Sequence, residues 1–313
     1  MTLIIALIVL GIFILVMAVG ISFFIKMMCR PKVHTHQEGM DVIKECGFDC
    51  AEFENTYPHE EFSFKSPRGY TLKGLIYRTS NEAEKGTEKR QKAVILVHGY
   101  TGSYSTMYPY AKMMLGFGYN VIVYDHRGHG YSDKGKAEFC SMGYFESKDL
   151  IDLFYFIKPR FNEDCIWGIL GESMGAGTVM QTAWQIKDLS FAIEDCGYSC
   201  MMKQAKSIMN SMHVPAFPML YIGNLIIKMH FKFSLYDINA VEAMKKTDIP
   251  MLFCHGDSDT FVPTAMVHEV YNAKKDKKAL QLYAGSPHAR SLLDHTAQYY
   301  QVVEDFLKSY NLL

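Results

Sequence analysis

The chain has 313 residues, 49% hydrophobic, 13% aromatic and 21% charged, and its 32 Lys and Arg against 33 Asp and Glu leave a formal net charge of −1. That balance excludes intrinsic disorder, which needs low hydrophobicity and high net charge. It also leaves no basic excess to neutralise a phosphate backbone, so no nucleic-acid partner is expected.

The chain opens on residues 3–25, which contain no charge and no proline. At about 1.5 Å per residue this run reaches roughly 34 Å, enough to cross a bilayer's hydrocarbon core. It stands alone at that length, which argues against a multi-spanning protein. Lys26, Arg30 and Lys32 follow at once. A cleaved signal peptide carries its positive charge before a shorter apolar core. Residues 3–25 therefore read as a retained transmembrane helix of a single-pass cell-membrane protein. The positive-inside rule puts the three charges, and with them the body of the chain, in the cytoplasm. The cysteines (Cys29, Cys46, Cys50, Cys140, Cys165, Cys196, Cys200, Cys254) form no small secreted disulfide framework and read as reduced small hydrophobes. Two pairs are spaced i, i+4, without zinc-site spacing, so no metal and no other cofactor is expected.

Residues 26–60 read as a juxtamembrane connector in which His34 and His36 are solvated. A single domain over 61–313 follows. Residues 62–65 and 70–77 predict two strands around a Ser-Pro-Arg-Gly turn, and 81–92, rich in Glu and Lys, an exposed loop. From there strands at 93–97, 120–124, 166–170, 191–194, 250–254 and 279–283 alternate with helices at 108–115, 145–157, 173–186, 264–273 and 295–310. Continuous apolar strands alternating with helices predict an α/β fold, a mostly parallel sheet flanked by helices. Ligands of such sheets sit beyond the carboxyl ends of the strands, so the residues just after each strand are where chemistry is sought.

After the 166–170 strand stands Gly171-Glu172-Ser173-Met174-Gly175, a G-x-S-x-G between a strand and a helix. That context fits a strained elbow lifting the Ser173 hydroxyl above the sheet, with Glu172 anchoring the elbow. A serine hydroxyl needs a base to take its proton. His288 follows the last strand, and Asp257 or Asp259, two residues apart after the 250–254 strand, would fix its tautomer. Periodicity does not choose between the two aspartates. Serine, acid and histidine then follow in the chain order of the α/β-hydrolase triad. The oxyanion hole would take backbone N–H groups from Met174, next to the nucleophile, and from Tyr100, in the loop after the 93–97 strand. Asp125 and Arg127 read as a structural ion pair, His126 and His129 as loop histidines without metal, His98 as a support of the oxyanion loop. Lys275, Lys277 and Lys278 read as a solvated helix end.

The motifs HGYTG (98–102), DHRGHGYS (125–132), GESMGAGT (171–178), EDCGYS (194–199), HGDSDTFVP (255–263) and SPHARS (286–291) resemble, in order and spacing, an α/β-hydrolase of the bacterial serine-aminopeptidase-like group with an N-terminal membrane anchor. The resemblance covers residues from about 60 to 313 and departs locally at Arg68, where relatives often have Asp before the turn glycine. It implies an α/β-hydrolase fold, a Ser173–Asp259–His288 triad with Asp259 preferred to Asp257, and a short helical cap after the sixth strand, at about 199–234. That stretch holds six methionines, and Pro215 and Pro218 break it into at least two helices. Two readings stand: a lid lining an apolar pocket, or a cap that packs its own core or touches the bilayer. The resemblance does not fix a substrate. Without an acidic cluster in the cap to hold a free amino terminus, a carboxylic ester cleaved through an acyl-enzyme is expected. A peptidase acting on short peptides, an acyltransferase and a non-enzymatic scaffold are the alternatives.

Overall fold

A computed structural model describes residues 2–79, 90–133 and 139–313. Among the described residues, eight strands make one sheet: β1 (His59–Lys65), β2 (Thr71–Tyr77), β3 (Lys92–Val97), β4 (Asn120–Tyr124), β5 (Ile166–Glu172), β6 (Leu189–Asp195), β7 (Met251–Gly256) and β8 (Lys278–Tyr283), in the order β1-β2-β4-β3-β5-β6-β7-β8. The β1–β2 hairpin and the β2–β4 pair are antiparallel, and β4 to β8 run parallel. The parallel strands are apolar on both faces because helices cover both faces.

The helices are α1 (Thr2–Cys29), α2 (His36–Glu45), α3 (Cys50–Thr56), α4 (Tyr108–Gly116), α5 (Tyr144–Ile157), α6 (Met174–Thr182), α7 (Met201–Ser211), α8 (Met219–Phe231), α9 (Ala240–Met244), α10 (Ala265–Ala273), α11 (Ser291–Asp294) and α12 (Thr296–Ser309). On one face of the sheet Leu153 and Phe154 of α5, Val179 of α6 and Val267 of α10 bury against Ile95, Ile169 and Phe253. On the other, Phe53 of α3, Met113 of α4 and Phe306 of α12 bury against Leu96, Leu170 and Ile193. A third apolar cluster forms beside the carboxyl ends of the strands. It joins α7 and α8 to the end of α1 through Met202, Met209, Leu220, Phe231, Phe24 and Met28. The cap therefore has a core of its own, into which α1 is built.

Helix α1 is long and apolar enough to cross a membrane, with mean hydropathy 3.2 and only 6% of its most apolar window buried. Burial begins near its end, at Ile21, Phe24, Met28 and Cys29. Residues 26–60 are more than a connector. Thr35 and Glu38 form a reciprocal cap that starts α2, Asp49 caps α3, and Ile43 and Phe53 enter the core. The loop expected at 81–92 lies outside the described residues, apart from its last three.

Two expectations are corrected here. His36 is not solvated: the cap at Thr35 turns the chain so that the ring is buried, stacks on Tyr131 at 4.2 Å and places Nε2 2.9 Å from Asp125 Oδ2. Nor do Asp125 and Arg127 pair with each other. Asp125 accepts the backbone N–H groups of Tyr104 and Tyr131, both at 2.8 Å, while Arg127 Nε donates to Asp149 Oδ2 at 3.0 Å and Arg68 Nε to Asp149 Oδ1 at 2.9 Å. Both residues lie past the end of β4, where the chain turns, so strand periodicity does not align their side chains.

Candidate active site

Strand β5 runs straight into the elbow. Ser173 sits at φ 55°, ψ −114°, a strained conformation for a residue with a Cβ. Its backbone is held by an N–H bond to the Asp195 carbonyl at 2.8 Å and by Gly177 N–H on its own carbonyl at 2.9 Å. The flanking glycines are sterically required. A Cβ on Gly171 would lie 2.3 Å from the Gly175 oxygen, and one on Gly175 would lie 1.9 Å from the Val97 oxygen.

Three loops beyond the strand ends bring Ser173, His288 and Asp259 together. Ser173 Oγ is 2.9 Å from His288 Nε2, and His288 Nδ1 is 2.7 Å from Asp259 Oδ2. An ionised carboxylate only accepts, so Nδ1 carries the proton and Nε2 presents its lone pair to the serine hydroxyl. Asp259 Oδ1 accepts Phe261 N–H at 2.9 Å and Val262 N–H at 2.8 Å. His255 Nε2 lies 3.3 Å from Oδ2. Burial works to raise the Asp259 pKa, but hydrogen bonds from His255 and His288 outweigh it and hold the carboxyl well below the usual range. Asp257 is exposed and turned away, accepting Gly285 N–H at 2.7 Å.

The Gly99 backbone passes Ser173 closely: a Cβ there would stand 3.5 Å from the Ser173 Cβ. Tyr100 follows in that loop. Met174 opens α6, where helix-end N–H groups lack intrahelical partners and the dipole favours negative charge. His98 braces the loop. Its Nδ1–H donates to the Gly99 carbonyl at 2.7 Å and its Nε2 accepts His126 N–H at 3.0 Å, while burial holds the ring neutral. His126 Nε2 faces the His98 carbonyl at 3.2 Å and His129 Nδ1 the Arg127 carbonyl at 2.9 Å. Among the described residues, Cys196, Asp259 and His288 have potential ligand atoms within 4.8 Å of one another. Burial keeps the Cys196 thiol protonated, and the other two already bond each other.

Under the elbow lies a buried acid pair that sequence reasoning placed only in part. Tyr110 Oη is 2.9 Å from Asp195 Oδ2 and 3.2 Å from Glu172 Oε2. Burial, then the Asp195 charge, pushes Glu172 up to about 8, so this carboxyl is largely protonated at neutral pH. Glu172 does anchor the elbow, through Tyr110. Asp195, His255 and Phe261 lie inside the motifs with no role of their own assigned, and Tyr110 lies outside them. Asp195 and His255 were nonetheless findable, because each ends a parallel strand.

Two cavities lie by the triad, one lined by Ser173 and the other by His288, with Tyr100 lining both. One, of ≈ 150 Å³, is walled by Met27, Met28, Met142, Met174, Met201, Tyr198, Ile208 and Val262. The other, of ≈ 470 Å³, lies on the His288 side and is lined by polar and charged groups including His34, Glu45, Glu172 and Arg290. Met201 of the cap thus lines the apolar cavity, while Met202 and Met209 pack inside the cap. Both sequence readings of the methionines hold for different residues.

Residues 88–222 match the family model described as serine aminopeptidase, S33. The chain is 29% identical to the uncharacterized protein YqkD of Bacillus subtilis over 299 residues, 95% of this chain and 94% of that one. It is 23% identical to the lysophosphatidylserine lipase ABHD12 of Danio rerio over 208 residues, 63% of this chain and 51% of the lipase. The esterase Pf2001 of Pyrococcus furiosus superposes with a TM-score of 0.65 at 22% identity, covering 84% of this chain and 95% of the esterase. With its sheet order and flanking helices, the chain has the α/β-hydrolase fold, and its similarities support a serine hydrolase of the esterase or peptidase type.

Proposed function

We propose that this chain is a membrane-anchored serine hydrolase that cleaves a carboxylic ester through an acyl-enzyme. The observation carrying the proposal is the continuous Ser173–His288–Asp259 hydrogen-bond chain at 2.9 and 2.7 Å. Ser173 Oγ attacks the ester carbonyl while His288 Nε2 takes its proton. The oxyanion is held by the N–H groups of Tyr100 and Met174, and each such donor contributes roughly 10²–10³ in rate. The tetrahedral adduct then expels the alcohol, which takes the proton from His288. Water attacks the acyl-Ser173 ester with His288 again accepting a proton, and collapse releases the acid and restores the serine. Asp259 holds the tautomer and stabilises the imidazolium, staying ionised throughout.

An ester fits better than a peptide. None of the described residues lining the apolar cavity is acidic, so nothing there would hold a free ammonium. In the second cleft Glu172 is kept largely protonated by burial and is a poor partner for one, which leaves Glu45, exposed at its wall, as the single other acid among the lining residues. The activity named for the Danio rerio relative, an ester cleavage, supports the same choice. Residues 3–25 are assigned as the membrane anchor, and Lys26, Arg30 and Lys32 favour the cytoplasmic side for the body of the chain. The test is labelling with a fluorophosphonate, which phosphonylates only an activated serine. Wild type should be labelled and should hydrolyse a butyrate ester, whereas Ser173→Ala should lose both with its melting temperature kept. Unlabelled, folded wild type, or a Ser173→Ala variant of normal turnover, overturns the proposal.

A further inference from the structure

The geometry points to the cap as a second membrane contact: the tip of α8 dips into the bilayer beside α1, and the apolar cavity over Ser173 takes the acyl group of a membrane-dissolved ester from that side. This rests on the hydrolase and anchor readings above.

Helix α8 runs alongside the final turns of α1 in the same direction. Met219 meets Gly20, Gly223 meets Ile21 and Phe24, and the Arg30 guanidinium lies 5.9 Å from the Phe231 ring centroid. Contact is close because both helices offer glycine: a Cβ on Gly20 would lie 2.7 Å from Met219 Cε, and one on Gly223 would lie 3.1 Å from Phe24. The register sets the depth. The start of α8 is level with Gly20, inside the uncharged run 3–25, and its end is level with Arg30. From Gly20 to Ile25 is about 8 Å along the axis. Interfacial helices bury to about 5–10 Å, the same range.

Side chains sort along that axis. At the deep end Phe217, Tyr221, Ile222 and Leu225 are exposed, Phe217 by 78% and Leu225 by 54%. At the shallow end Lys228, His230 and Lys232 are exposed around an exposed Met229, beside Lys26, Arg30 and Lys32 of the α1 flank. An apolar tip followed by a basic collar matches acyl chains beneath a headgroup layer. A protein partner would have no reason to respect the depth of α1.

The cavity shares a wall with the end of α1. Met27 and Met28, one turn past Phe24, form one wall of it, and the Tyr100 hydroxyl donates to the Met27 carbonyl. The end of the anchor is thus tied to the loop proposed to hold the oxyanion. A cavity near 150 Å³ accepts a group of about benzene size, so a longer acyl chain must run out of it, and on this reading its exit follows the α1 wall formed by Met27 and Met28.

The experiment uses the full chain in phosphatidylcholine vesicles doped with a phospholipid carrying an acyl-chain diazirine. After photolysis, cross-linked peptides are mapped. In parallel, wild type and the triple variant Phe217→Ser/Tyr221→Ser/Leu225→Ser are assayed on a soluble butyrate ester and on a monooleoyl ester in the vesicles. The expected result is cross-links in both 2–25 and 217–225. The variant should lose about tenfold on the vesicle-borne ester and keep butyrate turnover within about twofold. Cross-links in 2–25 alone, or an unchanged vesicle rate, overturn the dipping cap while leaving the anchor standing. Cross-links in neither segment remove the anchor and this inference together. Hydrolysis of neither ester by wild type removes the hydrolase reading. If the variant fails to fold, shown by equal loss on butyrate, the wild-type cross-links decide.

Discussion

Replacing Asp259 by Asn tests how the histidine is set. The change preserves shape, so the Asn carbonyl oxygen takes the Oδ1 place and accepts the Phe261 and Val262 N–H groups, which the ring of bonds in that loop demands. The amide NH₂ then faces His288 Nδ1, where Oδ2 stood at 2.7 Å. An NH₂ only donates, so Nδ1 must accept and the ring proton moves to Nε2, toward Ser173. In that tautomer Nε2 cannot take the Ser173 proton. The loss expected of a wrong tautomer in an otherwise intact triad is about 10⁴ in turnover, or about 5.5 kcal/mol of transition-state stabilisation. The assay is kcat/KM on a butyrate ester, with the melting temperature as a folding control. Asp257→Asn serves as the internal comparison, because Asp257 contacts Gly285 and Ser258 rather than His288. It should stay near wild-type rate. An Asp259→Asn enzyme within tenfold of wild type, or an Asp257→Asn enzyme equally impaired, would refute the assignment of the acid.

Gly175→Ala should fail to fold or lose more than about 3 kcal/mol in denaturant unfolding. Its new Cβ would meet backbone of β3 at 1.9 Å, which no side-chain rotation relieves, and a stable variant would show that the elbow can shift. Glu194 gives a pH signature away from the triad. Burial pushes its carboxyl up to about 8, against a smaller lowering by His255. A group raised on folding contributes stability that is complete below its unfolded pKa, about 4.3, and is lost as pH climbs through the folded value. Thermal unfolding of Glu194→Gln should therefore show a flatter decline than wild type between pH 5 and pH 8, scanned in matched buffers; parallel curves would refute it.

What the sequence made readable was local. An elbow, a loop behind a strand and a histidine before the last helix are each written in a few consecutive residues, and the strand-end rule puts them on one edge of the sheet. The acid was harder. Asp257 and Asp259 share a loop and a side, and what separates them is the His288 ring 29 residues on, together with the N–H groups of Phe261 and Val262. His36 was illegible for the same reason on a larger scale: its carboxylate partner is 89 residues away, and its own surroundings are polar. Helix α2 hides likewise, since among ten residues only Ile43 is an apolar side chain wholly in the core, too sparse a stripe to announce a docked helix. The end of α1 is the instructive case. Charges at Lys26 and Arg30 mark where the apolar run stops, yet the helix continues to Cys29. Phe24 and Met28 pack on a cap helix some 200 residues later in the chain. Hydropathy reports a solvent preference, and it is blind to whether an apolar side chain near the bilayer edge meets lipid or protein. Here neighbouring residues of one helix differ, with Phe23 58% exposed and Phe24 buried against Gly223. The boundary between the proposed anchor and the folded domain is therefore a face of α1 rather than a position along it, and a linear pattern does not contain it.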